Sequence, residues 1–108
     1  MKKAVLFCCV TVAACSRPQP EVKPDVHYVV GPAWQAGAAW MYPREDFSYQ
    51  AMGLAVRQAD SGTPLTTDGE VRNPLSMTGS HPTLQVPAVV TVINLENGRE
   101  ITIRVNER

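Results

Sequence analysis

Within the segment TTDGEVRNPLSMTGSHPTLQVP, residues 66–87, stand an acid at Glu70 and an imidazole at His81, both able to move protons. A carboxyl that gives and then recovers a proton, with an imidazole beside it, is sufficient equipment for general acid–base cleavage of a polar bond. Residue type alone argues for something plainer. Asp-Gly-Glu is ordinarily a solvated turn, and a His before Pro in a loop, as at His81, is ordinarily at the surface. Glu107, next to Arg108, reads in the same way as a surface charge, and His27 carries no role.

The segment is too short to fold alone, so other elements must position it. The clearest is a hairpin in which VVTVINL and REITIRV flank Glu96, Asn97, Gly98 and Arg99. Asn-Gly between two β-rich runs predicts a type I′ turn, because both residues tolerate positive φ. With Asn97 and Gly98 as the loop, Glu96 faces Arg99, Val92 faces Ile103 and Val90 faces Val105. One face then carries Val90, Val92, Ile101, Ile103 and Val105, and the other carries Thr91, Thr102 and Arg104 with Val89 and Ile93. An isolated ribbon cannot bury that aliphatic face, so further strands are required. Residues 53–59, GLAVRQA, alternate in a way that predicts one short strand. Turn formers follow, and irregular chain is expected to Val86.

The first residues, MKKAVLFCCVTVAACS, have a basic start at Lys2 and Lys3 and an apolar run too short for a permanent membrane span. Residues 1–14 read as a lipoprotein signal peptide ending in small residues, and Cys15 stands where a diacylglycerol would be attached. An ordinary secretory signal is the alternative. Cys8, Cys9 and Cys15 all fall in or beside this leader, so residues 16–108 hold no thiol pair for a disulfide, a redox centre or a metal. Losing Lys2 and Lys3 turns a formally neutral chain slightly acidic, which argues against a nucleic-acid partner.

Residues 15–27 are rich in proline and charge and read as a flexible linker behind the lipidated Cys. Residues 28–52 hold both tryptophans and all three tyrosines. With Gly and Pro breaking regular structure, they are expected to form an extended arm whose aromatic rings pack on the body. Trp34 and Trp40 could instead present flat faces for stacking sugar rings. Residues 53–108 complete the chain, and the whole stretch from Tyr28 onward is small enough that burial barely offsets chain entropy.

Several blocks line up with one family. YVVGPAW with AWMYPREDFSY, then MGLA, TTDGE, SMTGSHPTLQVP and VVTVINLENGREITIRVNER, behind a lipobox, resemble in that order the rare lipoprotein A (RlpA) family. The resemblance runs from Tyr28 onward. It implies an all-β fold, the N-terminal part of a double-psi β-barrel. The expected barrel is truncated before it closes, because the family continues past Arg-Val-Asn through Gly-Pro, a helix and further strands.

The same resemblance implies an endolytic lytic transglycosylase that cuts peptidoglycan glycan strands lacking stem peptides, leaving 1,6-anhydromuramic ends, in septal wall remodelling. Carried over by position, its catalytic groups fall on Glu70, His81 and Glu107. Glu70 would be the acid/base, with its pKa raised against an apolar barrel wall. His81 would orient it or bind a sugar hydroxyl, and Glu107 would stabilise the developing cation. Glu107 replaces the family's usual Asp. Ala55, Val56, Arg57, Gln58 and Ala59 replace the usual Ala-Ser-Trp-Tyr-Gly, which leaves Arg57 with Trp34 and Trp40 as the substrate-side candidates.

No cofactor and no metal is implied. The expected partners are glycan strands, septal division proteins and, through the lipid on Cys15, a membrane. Ser16 after Cys15 favours the outer membrane of a Gram-negative envelope, facing the periplasm. Two other functions compete: a glycan-binding or divisome-associated lipoprotein without catalysis, and an inactive truncated family member.

Overall fold

The β-branched run that ends the chain forms its longest strands. In a computed structural model, which describes residues 15–108, strands β4 (Ala88–Ile93) and β5 (Glu100–Glu107) pair antiparallel. The expected signal peptide, residues 1–14, lies outside the described residues.

The register differs from the one expected of a two-residue turn. Val92 faces Ile101, Val90 faces Ile103 and Ala88 faces Val105, and Arg99 is paired with Asn94 rather than Glu96. The loop is longer because two asparagines cap it from within. Asn94 Oδ1 accepts the Glu96 N–H at 2.9 Å, Asn97 Oδ1 accepts the Arg99 N–H at 2.9 Å, and Gly98 takes the positive φ. Each partner moves by a whole side-chain period, so Val90, Val92, Ile101, Ile103 and Val105 still share one face.

A third strand, β3 (Thr78–Ser80), lies parallel to β5 and gives the sheet order β3-β5-β4. The sequence pattern gave no sign of it. Gly79 lies so close to β5 that a Cβ there would come within 2.9 Å of the Ile103 side chain. Beyond Gly79 the register slips, so that Gly79 faces Val105 while Ser80 faces Glu107, leaving Asn106 as the extra residue of a bulge.

The arm is less extended than expected. Strands β1 (Trp34–Ala36) and β2 (Ala39–Met41) form a second hairpin around Gly37, whose φ of 61° suits the first loop position of a type II′ turn. The arm is held to the body chiefly through its backbone. Val29 and Val86 exchange two hydrogen bonds, Arg44 N–H reaches the Thr83 carbonyl, and the Asp46 N–H donates to Gln85 Oε1. Of the aromatic rings, Trp34 is half-buried and donates its indole N–H to the Pro82 carbonyl at 3.0 Å, whereas Trp40, Tyr42, Phe47 and Tyr49 stay exposed. Residues 53–59 form no strand: they are exposed throughout, with Leu54 97 % accessible, because no neighbouring strand offers them a ladder.

The linker is also pinned at its end. Asp25 N–H donates to the Gly69 carbonyl and His27 N–H to the Asp68 carbonyl. Gly69, at φ 82°, has the Asp25 carbonyl so close that a Cβ would stand 1.8 Å from its oxygen, so only glycine fits there. Among the described residues the buried apolar side chains are Leu84, Val86 and Val105, and they share the interior with buried Thr66, Asp68, Gln85 and Asn106. The described chain is thus all-β with an open sheet, and its interior is as much polar network as oil.

Candidate functional site

The loop after the Leu65–Val71 bridge is wound tightly around its own polar groups. Thr66 N–H donates to the Glu70 carbonyl at 2.9 Å, Gly69 N–H to the Thr66 carbonyl at 3.0 Å, and the Glu70 N–H to Thr66 Oγ1 at 3.1 Å. These bonds turn the Asp68 carboxyl inward, where it is fully buried, and send Glu70 toward β5.

Two ion-paired carboxylates result. Glu70 Oε1 accepts the Arg104 Nε–H at 2.6 Å and a contact from its Nη2, while Oε2 accepts Asn106 Nδ2 at 2.7 Å. Glu107 pairs with Arg72 and accepts the Thr67 hydroxyl at 2.8 Å. Strict alternation would send Asn106 and Glu107 to opposite faces of β5. The bulge at Asn106 breaks that alternation, and both residues line one cleft with Glu70, Arg72, Thr66 and Ser76. The cleft has a volume of about 80 Å³. At roughly 30 Å³ per water that is space for two or three waters, so a pyranose ring can lie across its mouth but not inside it.

Glu70 departs from the acid/base expectation. Burial pushes its proton affinity up, but the hydrogen bonds from Asn106 and Arg104 and the Arg104 charge outweigh this and hold the carboxyl below the usual range. In this arrangement Glu70 is an anion at neutral pH. The apolar wall expected to raise its pKa is instead a guanidinium and an amide.

His81 is placed apart from the two carboxyls and does not line their cleft. Its Nδ1 accepts two backbone N–H groups, from Thr83 at 3.2 Å and Leu84 at 3.1 Å. The proton must therefore sit on Nε2, which faces Tyr49 Oη at 3.0 Å and makes His81 the donor in that bond. Burial, then the positive charge of Arg108, push its pKa down, so the ring is neutral. The His81 backbone N–H reaches the Glu107 carbonyl at 3.1 Å, so the two residues are linked through the chain.

Beyond Tyr49 lies a second, wider groove of about 410 Å³, lined by Trp40, Tyr42, Arg44, Asp46, Tyr49 and Thr83. Trp40 thus opens onto a groove, while Trp34 is tied down by its indole N–H. Arg57 is exposed on the irregular stretch, and it is the adjacent Gln58 that reaches the carboxylate cleft. Cys15 is an exposed free thiol.

Sequence reasoning passed over Asp68, Arg72, Arg104 and Asn106, which set the charge state and aim of both carboxyls. A signal existed for one pair: Arg104 lies on the predicted strand and Asn106, one residue past its expected end, has the same parity and so the same face.

No protein-family model matches the chain, and no solved structure matches it. Curated proteins do. The chain is 36 % identical over 73 residues to the endolytic peptidoglycan transglycosylase RlpA of Salmonella typhi, an alignment covering 67 % of this chain and 19 % of that protein. The RlpA of Escherichia coli strain K12 is 36 % identical over 73 residues, 67 % of this chain and 20 % of its own length. That of Vibrio cholerae reaches 46 % over 44 residues, 41 % of this chain and 17 % of its own. The chain therefore spans about a fifth of the length of these relatives. Within that span the order of blocks read from the sequence and the similarity to several RlpA proteins agree, and the chain belongs to the RlpA family.

Proposed function

We propose that the chain acts on peptidoglycan as a lytic transglycosylase, with the cleft between Glu70 and Glu107 as its reaction centre. One observation carries this reading: two carboxyls distant in sequence, Glu70 and Glu107, converge on a single cleft through the bulge in β5. The name shared by the RlpA relatives supports it.

Cleavage needs a proton on the bridging glycosidic oxygen as the bond to the anomeric carbon breaks, its electron pair leaving with that oxygen. The muramic 6-hydroxyl oxygen then bonds to the anomeric carbon, and its proton returns to the acid, leaving a 1,6-anhydro end. Glu70 serves as that acid/base once a proton replaces the Arg104 contact. Glu107, held by Arg72 and Thr67, serves as the electrostatic stabiliser beside the developing oxocarbenium ion. His81, with both nitrogens engaged, braces the arm through Tyr49, and Trp40 offers a ring face to a neighbouring sugar.

The test is incubation of the full chain with glycan strands stripped of stem peptides, followed by mass spectrometry. Anhydromuramic ends from the parent chain, lost in Glu70→Gln with glycan binding retained, are expected. Binding without cleavage by the parent would replace this reading with that of a glycan-binding lipoprotein, which the ion-paired state of both carboxyls favours.

The proposal extends to the envelope: an acyl anchor on Cys15 holds the chain to the outer membrane, facing the periplasm, at sites of septal remodelling. The exposed thiol of Cys15 behind a lipobox motivates it. An unmodified Cys15 in the N-terminal peptide of protein recovered from membranes would remove the anchor.

A further inference from the structure

Asp68 is the most deeply buried carboxyl of the loop, and the chemistry proposed above does not use it. Its Oδ1 accepts the Thr66 hydroxyl at 2.6 Å. Its Oδ2 is enclosed and has no hydrogen-bond partner among the described residues. An orphaned carboxylate oxygen is costly inside a protein, so a donor within reach is held in readiness or drawn in. That donor is Arg104: its Nη2 stands 3.8 Å from Asp68 Oδ2, about 1 Å beyond hydrogen-bond distance, while Nε and Nη2 are engaged by Glu70. The Arg104 side chain is 42 % exposed, so rotation of the guanidinium meets little packing resistance.

We propose that Asp68 is a positioning residue whose Oδ2 is a second seat for the Arg104 guanidinium, and that passage of Arg104 from Glu70 to this seat frees Glu70 to carry a proton. The inference rests on the reading of Glu70 as the acid/base. Glu70 is faced by Arg104 on β5, by Asp68 on its own loop, and by Arg72 and Glu107 across the cleft. Arg72 is committed to Glu107, so among the described residues Arg104 is the cation placed between the two anions. With Arg104 on Glu70 the cleft holds an anion. With Arg104 on Asp68, Glu70 keeps only the Asn106 amide and accepts a proton from solvent.

The test is carbon-13 NMR titration of the Glu70 carboxyl in the full chain, alone and with Asp68→Asn, Arg104→Met and both. Removing the second seat fastens Arg104 to Glu70, so Asp68→Asn is expected to move the Glu70 midpoint to lower pH, and by less when Arg104 is already absent. Plain repulsion between two carboxylates predicts an equal or larger shift without Arg104, and that result overturns the proposal. The parent chain gives a second measurement that does not depend on a variant folding. The Arg104 Nε–H resonance is expected to move as Glu70 protonates, and a resonance that stays fixed through the titration refutes the exchange. In turnover, Asp68→Asn is expected to lower kcat roughly tenfold or more at neutral pH with KM unchanged, and Asp68→Glu to recover part of it. The titrations decide the seat without turnover. Coupled titrations in a chain that cleaves nothing therefore refute the catalytic role of Glu70 and not the seat.

Discussion

The two ends of the β4–β5 ribbon are built from the same kind of residue and have opposite fates. Near the turn, Val92, Ile93 and Ile101 remain exposed, whereas at the other end Val105 and Asn106 are buried against β3 and the 66–70 loop. Apolarity does not separate them, since the exposed end is the more aliphatic. What separates them is whether a third element arrives, and the elements that arrive bring polar groups with them. The residues of the candidate site therefore collect at the end where the ribbon has neighbours.

The comparison can be broken most severely in the interior. Leu84→Ala is expected to cost about 2–5 kcal/mol in denaturant unfolding, enough to unfold a domain this small, against less than about 0.5 kcal/mol for Ile93→Ala at the exposed end. Equal losses would show that the ribbon is covered in solution. Next comes the charged lining: Arg72→Met leaves Glu107 with only the Thr67 hydroxyl at a site sheltered from water. A loss of about 1–3 kcal/mol is expected by thermal unfolding, and none if water replaces the guanidinium. At the turn, Gly98→Ala places a Cβ at φ 70°, and a loss of about 1 kcal/mol is expected because there is strain but nothing to strike.

The smallest effect is a pH dependence. His81 and Glu70 both bind protons less readily folded than unfolded, so each contributes stability above its unfolded pKa that is lost as pH falls through its folded one. The melting temperature is expected to decline first below about 6.5, from His81, and again below about 4.5, from Glu70. His81→Gln should abolish the upper step and spare the lower. An unchanged upper step would assign it to another group.

How much of this was legible in the sequence depends on the range of the cause. β-branched alternation announced β4 and β5, and because the face is set by parity, the aliphatic side was read correctly even though the turn was not. The turn was misread because Asn94 and Asn97 each cap it with a side chain, a competition that an Asn-Gly rule omits. β3 was hidden because a three-residue strand containing Gly79 has no period to detect, and its pairing with β5 depends on closeness rather than pattern. The convergence of Glu70 and Glu107 came from family likeness alone, since it depends on that parallel pairing and on one extra residue at Asn106. The protonation of Glu70 was expected in the wrong direction because an apolar wall was expected beside it, whereas Arg104, read only as part of the ribbon's polar face, and Asn106, not read at all, form the floor of the site.

The clasp between Asp25 and Gly69 fixes more than a loop. Any tether on Cys15 can pay out only as far as Asp25, where the chain is gripped directly behind the Glu70 loop. Residues 15–25 fully stretched reach about 35 Å, so a lipid there would confine the cleft to a shallow shell above the bilayer. On the function proposed above, glycan strands lying farther out would be beyond its working radius, and lengthening that leash, with the grip left intact, is the change that would let it graze deeper.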